Sequence, residues 1–137
     1  VTSVKDMSLE EAAGTAIAIL LGDPNHKYKH TGEDWQAELK AEWEVEDFSE
    51  LSDTGGAWRE AKYEASEDTF DELTAKVVSE YGGEGQGDQY WMVVSLSDGN
   101  TTRYFRKDGY YSSYGESDLD GTTYEVQPTE RVVVFYE

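Results

Sequence analysis

Carboxylates are the reactive side chains this sequence holds in excess, 30 Asp+Glu against 11 Lys+Arg. They concentrate in residues 33–72, where fifteen acids face only Lys40, Arg59 and Lys62. That stretch carries −12 of the chain's −19 formal charge. Within it Trp35, Ala37, Leu39, Ala41, Trp43 and Val45 alternate with Gln36, Glu38, Lys40, Glu42, Glu44 and Glu46. Strict period-two alternation predicts a half-buried strand over residues 35–45. Glu42, Glu44 and Glu46 would then project from one face at a spacing of about 6.6–6.8 Å, twice the strand rise. A helix would align Trp35, Leu39 and Trp43, but it would stack Glu38, Glu42 and Glu46 as like-charged i,i+4 neighbours. Asp47, Glu50 and Asp53 continue the acidic line.

A fixed row of carboxylates can imitate a phosphate backbone, which carries one charge per ~3.4 Å of axis on each strand. The expected partner-binding set is therefore Glu38, Glu42, Glu44, Glu46, Asp47, Glu50 and Asp53. The expected partner is a basic or nucleic-acid-binding protein, and the action a DNA mimic's inhibition. The alternative is a solvated face that serves solubility or salt tolerance without a charge-specific partner. Lys (seven) exceeds Arg (four) and Glu (eighteen) exceeds Asp (twelve), which leans away from a halophilic origin of the charge.

Other chemistries are weaker in the sequence. Glu116, Asp118 and Asp120 before Gly121 resemble the start of a calcium loop, but the position of the bidentate Glu holds Gln127. A polar turn between strands is the better reading. His26 and His30 stand i,i+4, yet Asp23-Pro24-Asn25 and Thr31-Gly32 place them in loop, so no metal site is expected. The glycines of residues 83–87 lie between a predicted helix and a strand, the reverse of a phosphate loop. No catalytic signature occurs, and the chain reads as neither an enzyme nor a cofactor protein. Tyr90, Tyr104, Tyr110, Tyr111, Tyr114 and Tyr124 are interleaved with Arg103, Arg106 and Lys107. Most of these rings are expected in cross-strand pairs, with Tyr111 and Tyr114 the exposed anchors for a partner.

The elements that must position these groups can be read in outline. Ser8 and Glu11 form a capping box for a helix over residues 8–21, with Leu9, Ala13, Ala16, Ile17 and Leu20 as its apolar stripe and Gly22, Asp23 and Pro24 as its stop. A loop over 46–56 leads to a second strand over 57–65. Phe70, Leu73, Val77, Val78 and Tyr81 predict a helix over 67–81, with Ser66 as N-cap and Gly82-Gly83 as its end. Residues 84–89 connect it to strands at 90–97 and 101–107, joined by the turn Asp98-Gly99-Asn100. A turn at Asp108-Gly109 leads into a strand over 110–114, a polar loop over 115–121 and a short strand near 124–127. Pro128 precedes a final strand over 129–136, where Val132, Val133 and Val134 are contiguous. The expected class is α+β, two helices with a mainly antiparallel sheet in the order α-β-β-α-β-β-β-β.

At 137 residues the chain suits one domain, 1–137. With 13% aromatic residues it is composed for an ordered core rather than for disorder. No cysteine is present, and the longest apolar run, 16–21, falls far short of the ~20 residues of a membrane span. The charge disfavours direct contact with bare nucleic acid or an anionic membrane, and a cytoplasmic location is expected.

The last quarter carries a further pattern. Tyr104–Lys107, Gly109-Tyr110, Ser112–Tyr114, Asp118–Gly121, Glu125–Pro128 and Arg131–Glu137 follow one another as an aromatic-basic strand, a Gly-Tyr turn, a Ser/Tyr stretch, an acidic loop, an E-V-x-P segment and a Val-rich strand. This resembles a carboxy-terminal aromatic β-meander module of small acidic proteins from tailed, actinobacterial-type phages and prophages. Leu119 stands where such modules often have Trp. The resemblance implies a phage-type accessory protein and no particular activity. Val1 in place of Met is compatible with a GTG start in such genomes, or with trimming.

Overall fold

A computed structural model describes residues 3–22, 35–64, 67–70, 72–82, 89–110 and 119–128. The first long element follows from its caps. The Ser8 hydroxyl accepts the Glu11 N–H at 3.1 Å and opens α1, Leu9–Leu21, which ends at Gly22. Glu10 and Glu11 lie at the positive end of its dipole. Far from burying a single stripe, α1 buries Ala12, Ala13, Gly14 and Ala16–Leu21. It is covered all round because it touches the sheet and also two later helical segments. A short 3-10 helix, η1 (Val4–Asp6), precedes it.

Residues 35–64 are helical, not the expected pair of strands. They form α2 (Trp35–Glu42), the 3-10 helix η2 (Phe48–Asp53) and α3 (Gly55–Glu64). Ala, Glu, Leu, Lys and Gln are the best helix formers, and a Glu38/Glu42 repulsion of ~0.2–0.5 kcal/mol does not outweigh their sum. The alternation was coincidental: Ala37 and Ala41 are exposed, and Leu39 is fully buried. In α3 the buried residues are Ala57, Trp58 and Ala61, a helical spacing.

Residues 67–81 form strands where a helix was expected. β1 (Glu67–Phe70) and β2 (Leu73–Tyr81) make an antiparallel hairpin with Phe70 opposite Leu73. Phe70, Leu73 and Val77 suit a helical stripe, but they also fall on one face of a hairpin. A bulge between Val77 and Ser79 then shifts the phase of β2. Gly82, at φ +125°, ends the strand: a Cβ there would sit 2.7 Å from the Gln89 carbonyl oxygen.

β3 (Gln89–Ser97) and β4 (Thr102–Tyr110) pair over nine residues each around the expected turn. No turn forms at Asp108-Gly109. Both residues stay in the ladder, opposite Trp91 and Tyr90, and Asp108 bonds through its backbone to Gly121 and Thr122. β5 (Thr123–Val126) completes a five-stranded antiparallel sheet in the order β1-β2-β3-β4-β5. The fold is α+β, and in the described residues the helices pack on one face of the sheet. That core includes Met92, Val94, Leu96, Phe105 and Ala75 from the strands, and Leu119 from the segment before β5. The helix stop at residues 23 and 24, Ser66, Gly83, the connector 84–88, the strands expected at 111–114 and 129–136, and residues 115–118 lie outside the described residues.

The β3–β4 turn is tied to the amino-terminal segment. One Asp98 carboxylate oxygen accepts the Asn100 and Thr101 N–H groups at 2.9 and 2.8 Å, and the other accepts the Val4 N–H at 3.1 Å. These bonds hold the Asp98 carboxyl below its ordinary range. Arg103 anchors the same segment, donating to the Val4 and Met7 carbonyls and pairing with Glu125. A carboxyl with a lowered folded-state pKa contributes stability at pH values above its unfolded value of 3.8 and loses it as pH falls through the folded value. Asp98→Asn is therefore expected to lower the urea midpoint at neutral pH. It should also flatten the fall of that midpoint below about pH 4. An unchanged acid limb would deny Asp98 this role.

Candidate functional site

The acidic set lies on α2, the turn after it, and η2. Its geometry begins with the end of α2. The Glu44 N–H donates to the Ala41 carbonyl at 3.3 Å and the Val45 N–H to the Lys40 carbonyl at 3.0 Å. These are the paired bonds of a Schellman motif, with Glu44 at the position that glycine normally fills. Glu44 has φ 55° and is the one non-glycine residue with positive φ among the described residues. Val45 then packs against the core and anchors the turn.

η2 follows at once. The Asp47 carboxylate accepts the Ser49 N–H at 2.8 Å, and one Glu50 carboxylate oxygen accepts the Glu46 and Asp47 N–H groups at 2.7 and 3.1 Å. This is a capping box. Its bonds to Ser49 hold Asp47 below the ordinary carboxylate range. Asp47 and Glu50 thus serve the fold, although both are exposed.

The other end of η2 is gripped from two sides. The Trp58 indole N–H points at the Leu51 and Ser52 carbonyls, both at 3.1 Å. The Thr123 hydroxyl donates to the Ser52 carbonyl at 2.6 Å. Behind it lies Lys107, 1% exposed, whose ammonium donates to the Gly121 carbonyl at 2.8 Å and to Thr123 Oγ1 at 3.2 Å. Asp53 Oδ1 is 3.9 Å from that ammonium, while its own side chain is 77% exposed. A cation suits this end, where helical carbonyls point outward. Sequence reading missed Lys107 as an interior residue. The signal was present in β4, where alternation puts Arg103, Phe105 and Lys107 on one face.

The seven predicted acids therefore do not form one extended row. Glu38 and Glu42 share the exposed surface of α2, and Glu44 and Glu46 follow in the turn. Asp47 and Glu50 cap η2, and Asp53 approaches the buried lysine. Tyr111, Tyr114, His26, His30, Glu116 and Asp118 lie outside the described residues.

The opposite face of the sheet carries aromatic side chains. Tyr81 of β2 and Trp91 of β3 stack with centroids 5.7 Å apart. The Arg106 guanidinium of β4 lies 4.5 Å from the Trp91 ring centre and 5.9 Å from that of Tyr124 in β5. Arg106 also bonds Asp108 at 2.8 Å. Burial, and then the nearby Asp108 carboxylate, raise the Tyr124 hydroxyl above its ordinary pKa. Of the tyrosines expected in cross-strand pairs, Tyr124 joins this ladder across four strands, whereas Tyr90 is buried in the core beneath the Lys62 ammonium.

Among the described residues, no group of three or more His, Cys, Asp or Glu is placed to hold a metal ion. None of the described helices is long and apolar enough to cross a membrane. Comparison with protein-family models, with curated proteins and with solved structures finds no match.

Proposed function

We propose that this chain is a small binding protein without catalytic activity, of the phage-accessory kind its carboxy-terminal pattern resembles. It docks a basic or nucleic-acid-binding protein through Glu38, Glu42, Glu44 and Glu46. The observation that carries this reading is Glu44. A non-glycine residue in the left-handed region costs about 1–2 kcal/mol, and glycine would relieve that cost at the same turn. Strain kept at an exposed carboxylate points to a use for that carboxylate.

The capping box supports the same reading, because it fixes the turn that presents the acids. Four residues of helix rise about 6 Å, so the axial spacing of Glu38 and Glu42 is close to the roughly 6.8 Å of duplex axis that two charges of one strand occupy. Mimicry of a nucleic-acid strand then rests on a helix and its terminal turn instead of on a strand.

Two variants test the proposal. Replacing Glu38, Glu42, Glu44 and Glu46 together by Gln is expected to abolish salt-sensitive retention of a basic protein from cell lysate. Failure of the native chain to retain any such protein at low salt, or retention that survives the four replacements, would leave the charge a solubilising one. Glu44→Gly is expected to raise stability by about 1 kcal/mol, or about 3–5 °C in Tm, while weakening the same binding. Opposite signs in the two measurements mark a residue kept for function; a gain in stability with unchanged binding would sink the argument from strain.

A further inference from the structure

The sheet face turned away from the helices has a different character from the rest of the chain. Alternation places Tyr104, Arg106, Asp108 and Tyr110 of β4 there, opposite in direction to the buried Phe105 and Lys107. Trp91 and Val93 of β3, Tyr81 of β2 and Tyr124 and Val126 of β5 share it by register. Ser79 joins them by its pairing with Val93, and Val78 stands unpaired in the bulge between Val77 and Ser79. Val78, Tyr81 and Tyr110 are 44%, 37% and 54% exposed, and they are the exposed large hydrophobic residues of the described structure.

Among the described residues the charges on this face are Glu67, Lys76, Arg106 and Asp108. Glu67 and Lys76 are cross-strand partners, and Arg106 pairs with Asp108. The face is therefore neutral in a chain of net charge −19.

We infer that this face is where a second copy of the chain docks, sheet against sheet about a two-fold axis. Such an interface brings a patch against itself, so the patch must be self-complementary. Equal numbers of opposite charges meet that condition, as the acidic helical layer does not. A cationic partner would be drawn to the acids on the other side of the molecule, and a nucleic acid would be repelled by the chain as a whole. Tyr, Trp and Arg are the residues that dominate interface energetics. Strands of nine residues make the face about 30 Å long, and five strands make it about 20–24 Å wide at the centre. That area is comparable to the ~800 Å² per partner of a specific interface.

The salt dependence is the signature. Two strongly acidic chains repel, and salt screens the repulsion, so self-association here must strengthen as salt rises. Binding of a basic protein through the acids must weaken. Sedimentation equilibrium of the native chain, from about 10 to about 300 µM, is expected to show a dimer whose dissociation constant falls at least severalfold between about 0.05 and 0.5 M KCl. The double variant Tyr81→Asp/Tyr110→Asp is expected to dimerise at least tenfold more weakly. Gln36→Glu/Ala37→Glu, which adds the same charge to α2, should dimerise like the native chain once salt is high. Near-UV circular dichroism reports whether each variant is folded, and Tyr110→Asp alone at the most exposed position serves if the pair is not. A native chain that stays monomeric throughout, a dimer that weakens with added salt, or one unaffected by Asp at 81 and 110 overturns the inference.

Discussion

Gly14→Ala is expected to destabilise the protein by about 2–4 kcal/mol, lowering Tm by roughly 8–15 °C. In an ordinary helix interior the same change would stabilise by up to about 1 kcal/mol. The sign reverses because a Cβ on Gly14 would sit 1.9 Å from the Phe48 carbonyl oxygen and 2.9 Å from the Ser49 Cα. Both obstacles are backbone, so η2 itself must move off α1. The displacement would spread to the capping box of Asp47 and Glu50, and from there to the turn carrying Glu44 and Glu46. Thermal melts with near-UV circular dichroism, which reports the packing of Trp58, measure the effect. A melt at or above the native temperature would show that α1 and η2 are not in backbone contact. The same variant is also expected to weaken binding of a basic partner without removing any charge.

Lys107→Met is expected to cost about 1–3 kcal/mol, and Lys107→Ala more. Methionine keeps most of the apolar stem, so its cost isolates the ammonium. Without it the Gly121 carbonyl and Thr123 Oγ1 lose a charged donor in a buried place. The Thr123 bond to the Ser52 carbonyl loses the partner that orients it. Against that loss stands the desolvation of the ammonium itself, which the substitution recovers. Asp53→Asn should cost less than about 0.5 kcal/mol, since that carboxylate is largely exposed and 3.9 Å away. Urea unfolding of the three variants, with amide exchange at Thr54, whose N–H donates to the Leu51 carbonyl at 3.1 Å at the end of η2, separates these effects. Equal stability of Lys107→Met and the native chain would show that the buried bonds only offset the desolvation of the ammonium. Faster exchange at Thr54 would then be the sole mark of its hold on η2.

These two positions bear on the proposed docking because they hold η2, next to the acidic turn, at its two ends. Gly14 lets the η2 backbone seat on α1, and Lys107 with Thr123 ties its carboxyl end to the sheet. Carboxylates presented on a fixed frame lose little entropy when a partner arrives. The face proposed for self-association lies on the other side of the sheet, so a dimer would leave both acidic layers exposed and displayed outward.

How much of this was legible in the residues depends on how local each determinant is. The cap at Ser8, the long apolar run behind it and the turn at Asp98-Gly99 are local signals. They place α1 and the β3–β4 hairpin correctly. The acids of residues 33–72 are equally plain as a concentration of charge. Their roles were not legible, because a carboxylate that caps η2 and one that meets solvent have the same composition. Glu44 gave no sign of left-handed backbone, since the usual signal there is glycine.

The α+β class and the excess of acid follow from the sequence by itself, since caps, turn residues and net charge act over a few residues or over the whole chain. The tertiary structure decided which segments between residues 55 and 81 became helix and which became strand. Short amphipathic stretches fit both periods: Trp35, Leu39 and Trp43 satisfy a helix while their neighbours alternate, and Phe70, Leu73 and Val77 satisfy a helix or a bulged hairpin. Helix propensity settles residues 35–42, whereas burial against α1 decided α3 and pairing with β3 decided β2. Those contacts join residues far apart in the chain, so no local window contains the energy that selects between the two readings.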